Sequence, residues 1–161
     1  MNENLLDEVS TQHQYLLFYV GGVLYAIEAL KAQEIVEYGD VTKVPKMNLY
    51  VDGVTNIRGN IVPVVDLVSR FNLGKTVVGD KTSIIVINYD KNNEKMQVGI
   101  VIDEVYEVDS IEPSDIKKAP DFGANIESRF IKYMGKYEDE YIEILDTDAI
   151  LNIEELSELV D

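Results

Sequence analysis

Cysteine is absent from this 161-residue chain, and histidine occurs once, at position 13. Without a thiol there is no disulfide framework and no thiolate chemistry, which fits a reducing compartment. Without a second imidazole, the ordinary zinc sites and nucleophile–imidazole pairs are unavailable. His13 sits in a polar lead and reads as incidental. Also missing are a Gly-x-x-x-x-Gly-Lys-Ser/Thr loop and a Gly-x-Gly-x-x-Gly turn opening a helix, so nucleotide cradles are not expected. Bases are scarce, 14 against 30 acids for a net charge of −16. That balance argues against nucleic acid and against an anionic membrane surface as partners. No apolar run approaches the roughly 20 residues of a membrane span. The acidic start, Met1-Asn2-Glu3-Asn4, lacks the pattern of an export signal. The expectation is a soluble cytoplasmic protein with no enzymatic activity, no cofactor and no metal.

What the chain does contain is a succession of short apolar strands separated by turn residues. Tyr15 to Val20 is a continuous apolar run, Gly21-Gly22 a two-residue turn, and Val23 to Ile27 the returning strand. A short helical turn follows over 28–33, then a strand from Glu34 to Tyr38. Strands are predicted at 51–57 and 61–66, with a short helix after Asp66 as its cap, ended by Asn72 and Gly74. After a loop at 75–81 the pattern begins again. It runs through Ser83–Tyr89, a polar turn at 90–94, Met96–Ile102, an acidic corner at Asp103-Glu104 and Val105–Ile111. A turn at Pro113-Ser114-Asp115 and a loop at 120–128 lead to a last hairpin, 130–137 and 140–145, ending at Asp146. The segment 90–94 lacks the glycine and ligand schedule of a calcium loop and reads as a plain hairpin turn.

The two halves share one order of elements. Asp66 aligns with Asp146 at an offset of 80 residues, and Glu28 with Asp103 at 75, a difference that a surface loop absorbs. Short strands at regular spacing favour barrels or sandwiches. The expected fold class is mainly β: two five-stranded SH3-like barrels on a shared hydrophobic core. The lobes are roughly 14–75 and 82–150, with an exchange of their C-terminal strands left open. Residues 1–13 read as a flexible tail. Residues 154–161 read as a short amphipathic C-terminal helix.

The segment Gly53-Val54-Thr55-Asn56-Ile57-Arg58-Gly59-Asn60-Ile61-Val62-Pro63-Val64-Val65-Asp66-Leu67 is the most specific part of the chain. Gly59 supplies the positive φ of a tight reversal. Pro63 cannot donate to a ladder, so its strand is expected at an edge or with the missing donor turned outward. This segment resembles the signature of the CheW-like domains of bacterial chemotaxis: a leading glycine, Asn-x-Arg-Gly, then Pro-hydrophobic-hydrophobic-Asp-Leu. The similarity extends over about 14–153 and includes Tyr25-Ala26-Ile27, Ala32-Gln33-Glu34-Ile35, Val44-Pro45 and Gly99-Ile100-Val101-Ile102-Asp103.

The resemblance implies an adaptor that couples the helical-hairpin tips of chemoreceptors to the regulatory domain of the histidine kinase CheA. It would be cytoplasmic, recruited to membrane-associated receptor arrays and without direct membrane insertion. Arg58, one of only three arginines, is the leading candidate contact, because a guanidinium on a rigid turn can fork onto carboxylates or carbonyls. An internal bond holding the turn is the competing reading, and both stand at this point. Asn56 either caps the turn or touches a partner; Gly53 and Gly59 are backbone devices that would admit a partner closely. By the resemblance, Ala32, Glu34 and Val36 line a groove between the barrels that takes the receptor's hairpin tip, with Gly99 and Val101 as its opposite wall. For Ala32 and Val36 the competing reading is ordinary core. Tyr133, Tyr137 and Tyr141 lie on the last hairpin, where alternate positions are expected to be exposed. Two other functions remain open: an adaptor of the same family in a non-chemotaxis pathway, and a phosphotransfer protein, whose long helices are missing here.

Overall fold

A computed structural model describes residues 13–45, 48, 50–91, 94–119 and 124–152. The expected N-terminal tail apart from His13, the expected C-terminal helix and residues 120–123 of the expected loop lie outside the described residues. Eleven strands are described: β1 (Gln14–Val20), β2 (Val23–Glu28), β3 (Ala32–Glu37), β4 (Val51–Ile57), β5 (Asn60–Asp66), β6 (Ser83–Lys91), β7 (Glu94–Ile102), β8 (Glu104–Ser110), β9 (Ile116–Lys117), β10 (Ile131–Tyr137) and β11 (Glu140–Leu145). Two one-turn helices, α1 (Leu67–Arg70) and α2 (Thr147–Ile150), follow β5 and β11.

The strands form a six-stranded sheet, β8-β1-β2-β11-β10-β9, and a five-stranded sheet, β3-β6-β7-β5-β4. Each sheet mixes strands from both halves of the chain. If β6, β7, β8, β10 and β11 stand for β1 to β5, the order β8-β1-β2-β11-β10 becomes β3-β6-β7-β5-β4, with β9 as an addition. Register breaks recur at matching places, between Val51 and Gly53 on β4 and between Ile131 and Tyr133 on β10. The four seams β1·β8, β2·β11, β3·β6 and β5·β7 all join the first half to the second.

Burial explains the unbroken apolar runs. Leu16, Phe18 and Val20 face a core shared by both lobes, while Tyr15 and Leu17 face the interior of the six-stranded lobe. On β6, Ile85, Ile87 and Tyr89 face the shared core, and Ile84 and Val86 the interior of the five-stranded lobe. Side chains alternate across a strand, so a strand covered on both faces is apolar throughout.

One local expectation is corrected and two are completed. The segment 90–94 is not all turn: the ladder continues through Asp90↔Lys95 and Lys91↔Glu94. Of the two alternatives for Pro63 the edge fails, since β5 lies between β7 and β4; Pro63 pairs with Val54 and stands one residue outside the β7 ladder, which begins at Val64↔Gly99, in keeping with a missing donor turned outward. Gly59 is not alone in carrying the reversal: Arg58 has φ 54° and Gly59 φ 86°, the two positive angles that match the twist of a hairpin. Asp66 does cap α1, its Oδ1 accepting from the Val68 N–H at 3.0 Å, and Asp146 caps α2 through the Ala149 N–H at 3.1 Å.

Candidate docking surfaces

β3 and β4 are the outer strands of the five-stranded sheet, and the gap between them is a cleft of about 560 Å³. Val36, Ile57 and Ile84 give it an apolar floor; Ile57 and Ile84 belong to the interior cluster of that lobe, and Val36, half-buried, packs against it. At one end Thr42 and Val54 exchange backbone hydrogen bonds of 2.8 Å each way. Gly53 permits this approach, because a Cβ there would collide with the Thr42 carbonyl. Tyr38 lines the same cleft and donates to Asp52 Oδ2 at 2.6 Å. Burial, then the hydrogen bond to Asp52, pushes its phenol up to about 12.

At the other end the β4–β5 turn presents Arg58. Its Nε donates to both Glu34 carboxylate oxygens, at 3.2 and 3.1 Å. The Arg58 side chain is 80% exposed and that of Glu34 19%. A pair this open to water contributes only about 0–1 kcal/mol, so the guanidinium remains available to a partner. The Asn56 side-chain oxygen accepts from the Gly59 N–H at 3.0 Å and stiffens the turn.

The structure thus brings together Glu34, Val36, Asn56 and Arg58, with Gly59 beside them. It places them within one lobe and not in a groove between the barrels. Ala32 packs against the shared core. Gly99 and Val101 do not form an opposite wall: both are buried. A Cβ on Gly99 would stand 2.6 Å from Ile84 Cγ2. Val101 packs with Val64 and Ile84. On the last hairpin, Tyr133 and Tyr141 are exposed and Tyr137 is buried.

The matching gap of the six-stranded lobe is filled. Tyr137, 80 positions after Ile57, places its hydroxyl 2.6 Å from Glu107 Oε1 and 2.8 Å from Asp109 Oδ2, and its ring meets Tyr106 edge-on at 6.5 Å. Burial and then the two carboxylates push its phenol far up. The turn that corresponds to Arg58-Gly59 is Glu138-Asp139, again with two positive φ angles. The two ends are therefore alike in backbone and opposite in charge. Sequence reasoning missed Tyr38 and the Tyr137 filling; the 80-residue offset was the signal that pairs Ile57 with Tyr137. It also missed a second cleft of about 350 Å³, which includes Ile61, Pro63, Lys95 and Met96, with Ile61 67% exposed.

Among the described residues no group of three or more acids or histidines is placed to hold a metal ion, and no helix is long and apolar enough to cross a membrane. A cleft with an apolar floor, one forked cation and a stiff turn is suited to binding another protein's surface.

Comparisons with known proteins bear on the family and the fold. The chemotaxis protein CheW of Klebsiella aerogenes is 33% identical over 148 residues, covering 92% of this chain and 86% of that protein. The chemotaxis protein CheW of Bacillus subtilis is 33% identical over 147 residues, covering 91% and 92%. The crystal structure of the scaffolding protein TtCheW from Thermoanaerobacter tengcongensis superposes with a TM-score of 0.79 at 26% identity, covering 92% of this chain and 94% of that one. The CheW-like domain matches residues 14–155, and the chain belongs to that family.

Proposed function

We propose that the chain is a chemotaxis adaptor that joins chemoreceptor tips to the histidine kinase CheA through two separate faces of one rigid body. The observation that carries this reading is the β3–β4 cleft, where Arg58 is held on a stiff turn above Val36 and Ile57. In this reading the cleft receives the kinase's regulatory domain, and the receptor hairpin lies on a different surface. An amphipathic helix seated in a groove is a common mode of recognition, and the second cleft offers Ile61, Pro63 and Met96 to its apolar face and Asn60, Asn88, Lys95 and Gln97 to its polar one. Two modest contacts on one body combine through effective concentration, on the order of millimolar for a short linkage. The adaptor performs no chemistry. A signal passes as a change in the relative placement of its two partners, at the cytoplasmic side of a receptor array.

Co-sedimentation tests the reading. Receptor-tip particles should bring down the chain and the kinase together, and neither the chain nor the kinase domain should do so as well alone. Phosphorylated kinase should leave no label on the chain. Transfer of label, or kinase recruitment that does not depend on the chain, would overturn the adaptor reading.

A further inference from the structure

Arg70 lies at the junction of the two lobes, and its surroundings come in matched pairs. It ends α1, the helix that leaves the five-stranded lobe, and it is 3% exposed. Its Nε donates to the Ile150 carbonyl at 2.9 Å and its Nη2 to the Ala149 carbonyl at 3.2 Å. Those carbonyls end α2, the helix that leaves the six-stranded lobe. The guanidinium lies between two rings, Tyr50 at 5.0 Å and Phe130 at 4.9 Å. Tyr50 enters β4 and Phe130 enters β10, 80 positions apart. Each ring's residue holds the matching cap: the Asp66 N–H donates to the Tyr50 carbonyl at 2.9 Å, and the Asp146 N–H to the Phe130 carbonyl at 2.8 Å. One cation thus touches the equivalent entry and exit of both lobes, at the axis that relates them. On the other half the equivalent of Arg70 is Ile150 itself, so a single guanidinium serves both.

We propose that Arg70 is a positioning residue that sets the angle between the two lobes, and through it the relative orientation of the two docking faces. The shared core holds the lobes together, but apolar contact is non-directional and tolerates small rotations and slips. Forked hydrogen bonds to two carbonyls, together with a planar cation sandwiched between rings, admit one geometry. Helix-terminal carbonyls need donors in any case, and here the donor comes from the opposite lobe. A buried polar group of this kind selects one arrangement among several of similar apolar packing.

The consequence for the assembly rests on the adaptor reading; the geometric claim does not. The absence of cysteine allows two unique spin labels, at Lys95→Cys on β7 and Lys136→Cys on β10, one exposed position in each lobe. The labelled chain should give one narrow interlobe distance. Arg70→Met fills the same space without the directional bonds. Its distance distribution should broaden or gain a shifted second population while the far-ultraviolet dichroism stays that of the parent. Arg70→Lys, which keeps the charge but not the fork, should fall between. If Arg70→Met does not fold, Tyr50→Leu removes one stacking face and should broaden the same distance. An unchanged distribution in every folded variant overturns the proposal, whatever their thermal stability. In the assembly, Arg70→Met should bind receptor tips and kinase singly as the parent does but lose the three-part complex. Loss of single binding as well would count against the adaptor reading of the faces, and the distance measurement would still decide the role of Arg70.

Discussion

Arg58 and Glu34, 24 positions apart in sequence, face each other across the β3–β4 cleft, the guanidinium Nε within 3.2 Å of both carboxylate oxygens. In sequence Arg58 stands out by its turn and Glu34 by the resemblance alone, and the fold makes them a pair. Their link has two possible uses: it closes the cleft from within, or it presents a cation whose charge a partner needs.

Charge reversal separates those uses. Arg58→Glu should leave the circular dichroism unchanged and alter stability by no more than about 1 kcal/mol, as for other exposed pairs. It should abolish kinase co-sedimentation. The exchange Glu34→Arg with Arg58→Glu restores the ion pair with its direction inverted. Binding that stays lost in the exchange variant assigns Arg58 to the partner; binding that returns assigns the pair to the cleft's own architecture.

Glu143 supplies a prediction in pH. It is 4% exposed; its Oε1 accepts from the Asn125 N–H at 2.9 Å, and it lies in register between Met134 and Tyr25. Burial raises its carboxyl above the ordinary value of 4.5, against the lowering effect of Asn125. The folded state therefore binds this proton more tightly than the unfolded chain does. Stability from this group is greatest below 4.5 and declines as pH climbs from there through the raised value. Glu143→Gln keeps an acceptor for Asn125 and carries no charge. Its melting temperature should exceed the parent's at neutral pH, and the difference should shrink toward pH 4. A difference that does not vary with pH removes Glu143 as the source.

Much of this fold is legible in the sequence because it is local. Gly21-Gly22 marks the first hairpin, the continuous run from Tyr15 to Val20 marks a strand covered on both faces, and Asp66 and Asp146 mark the same corner twice. The strand order is less legible, since adjacent hairpins are brought together by pairings as distant as Tyr25 with Glu143. The candidate site divides the same way. Arg58 and Asn56 lie in one turn and were readable; the partner of Arg58 was not. Gly99 and Val101 stand on a groove wall only by the resemblance; that their own sheet curls over this face of β7 and buries them follows from packing, which the strand's alternation does not reveal. Arg70, polar and at the end of a short helix, carries no local signal of burial, yet it is buried among rings.

The interleaving of halves predicts what a cut would do. Between α1 and β6 the loop carries Val77, 90% exposed. It is pinned by Thr76, whose N–H and hydroxyl both donate to Asp66, at 3.0 and 2.7 Å. A protease site placed at Val77-Val78 should be cleaved in the native protein. The pieces should nevertheless elute together and melt in one transition, because all four seams join opposite halves. The melting temperature should fall and become dependent on concentration, as the loop no longer limits the separation of the halves. Pieces that part in native buffer, each with strand dichroism of its own, would contradict the exchange of strands.

Gly99 tests whether a buried glycine on β7 is packing or contact. A Cβ at this position meets Ile84 Cγ2 at 2.6 Å, too close unless a core side chain moves. Gly99→Ala should therefore cost about 1–3 kcal/mol, the usual range for overpacking, and Gly99→Val more. Well below its melting temperature, the folded Gly99→Ala protein should bind receptor tips and kinase with the parent's affinity, since no face of Gly99 is open to them. Combining it with Ile84→Ala removes the obstructing methyl, so the double variant should lose less than the sum of the singles. A loss of binding with stability unchanged would reverse the assignment and return Gly99 to the docking surface.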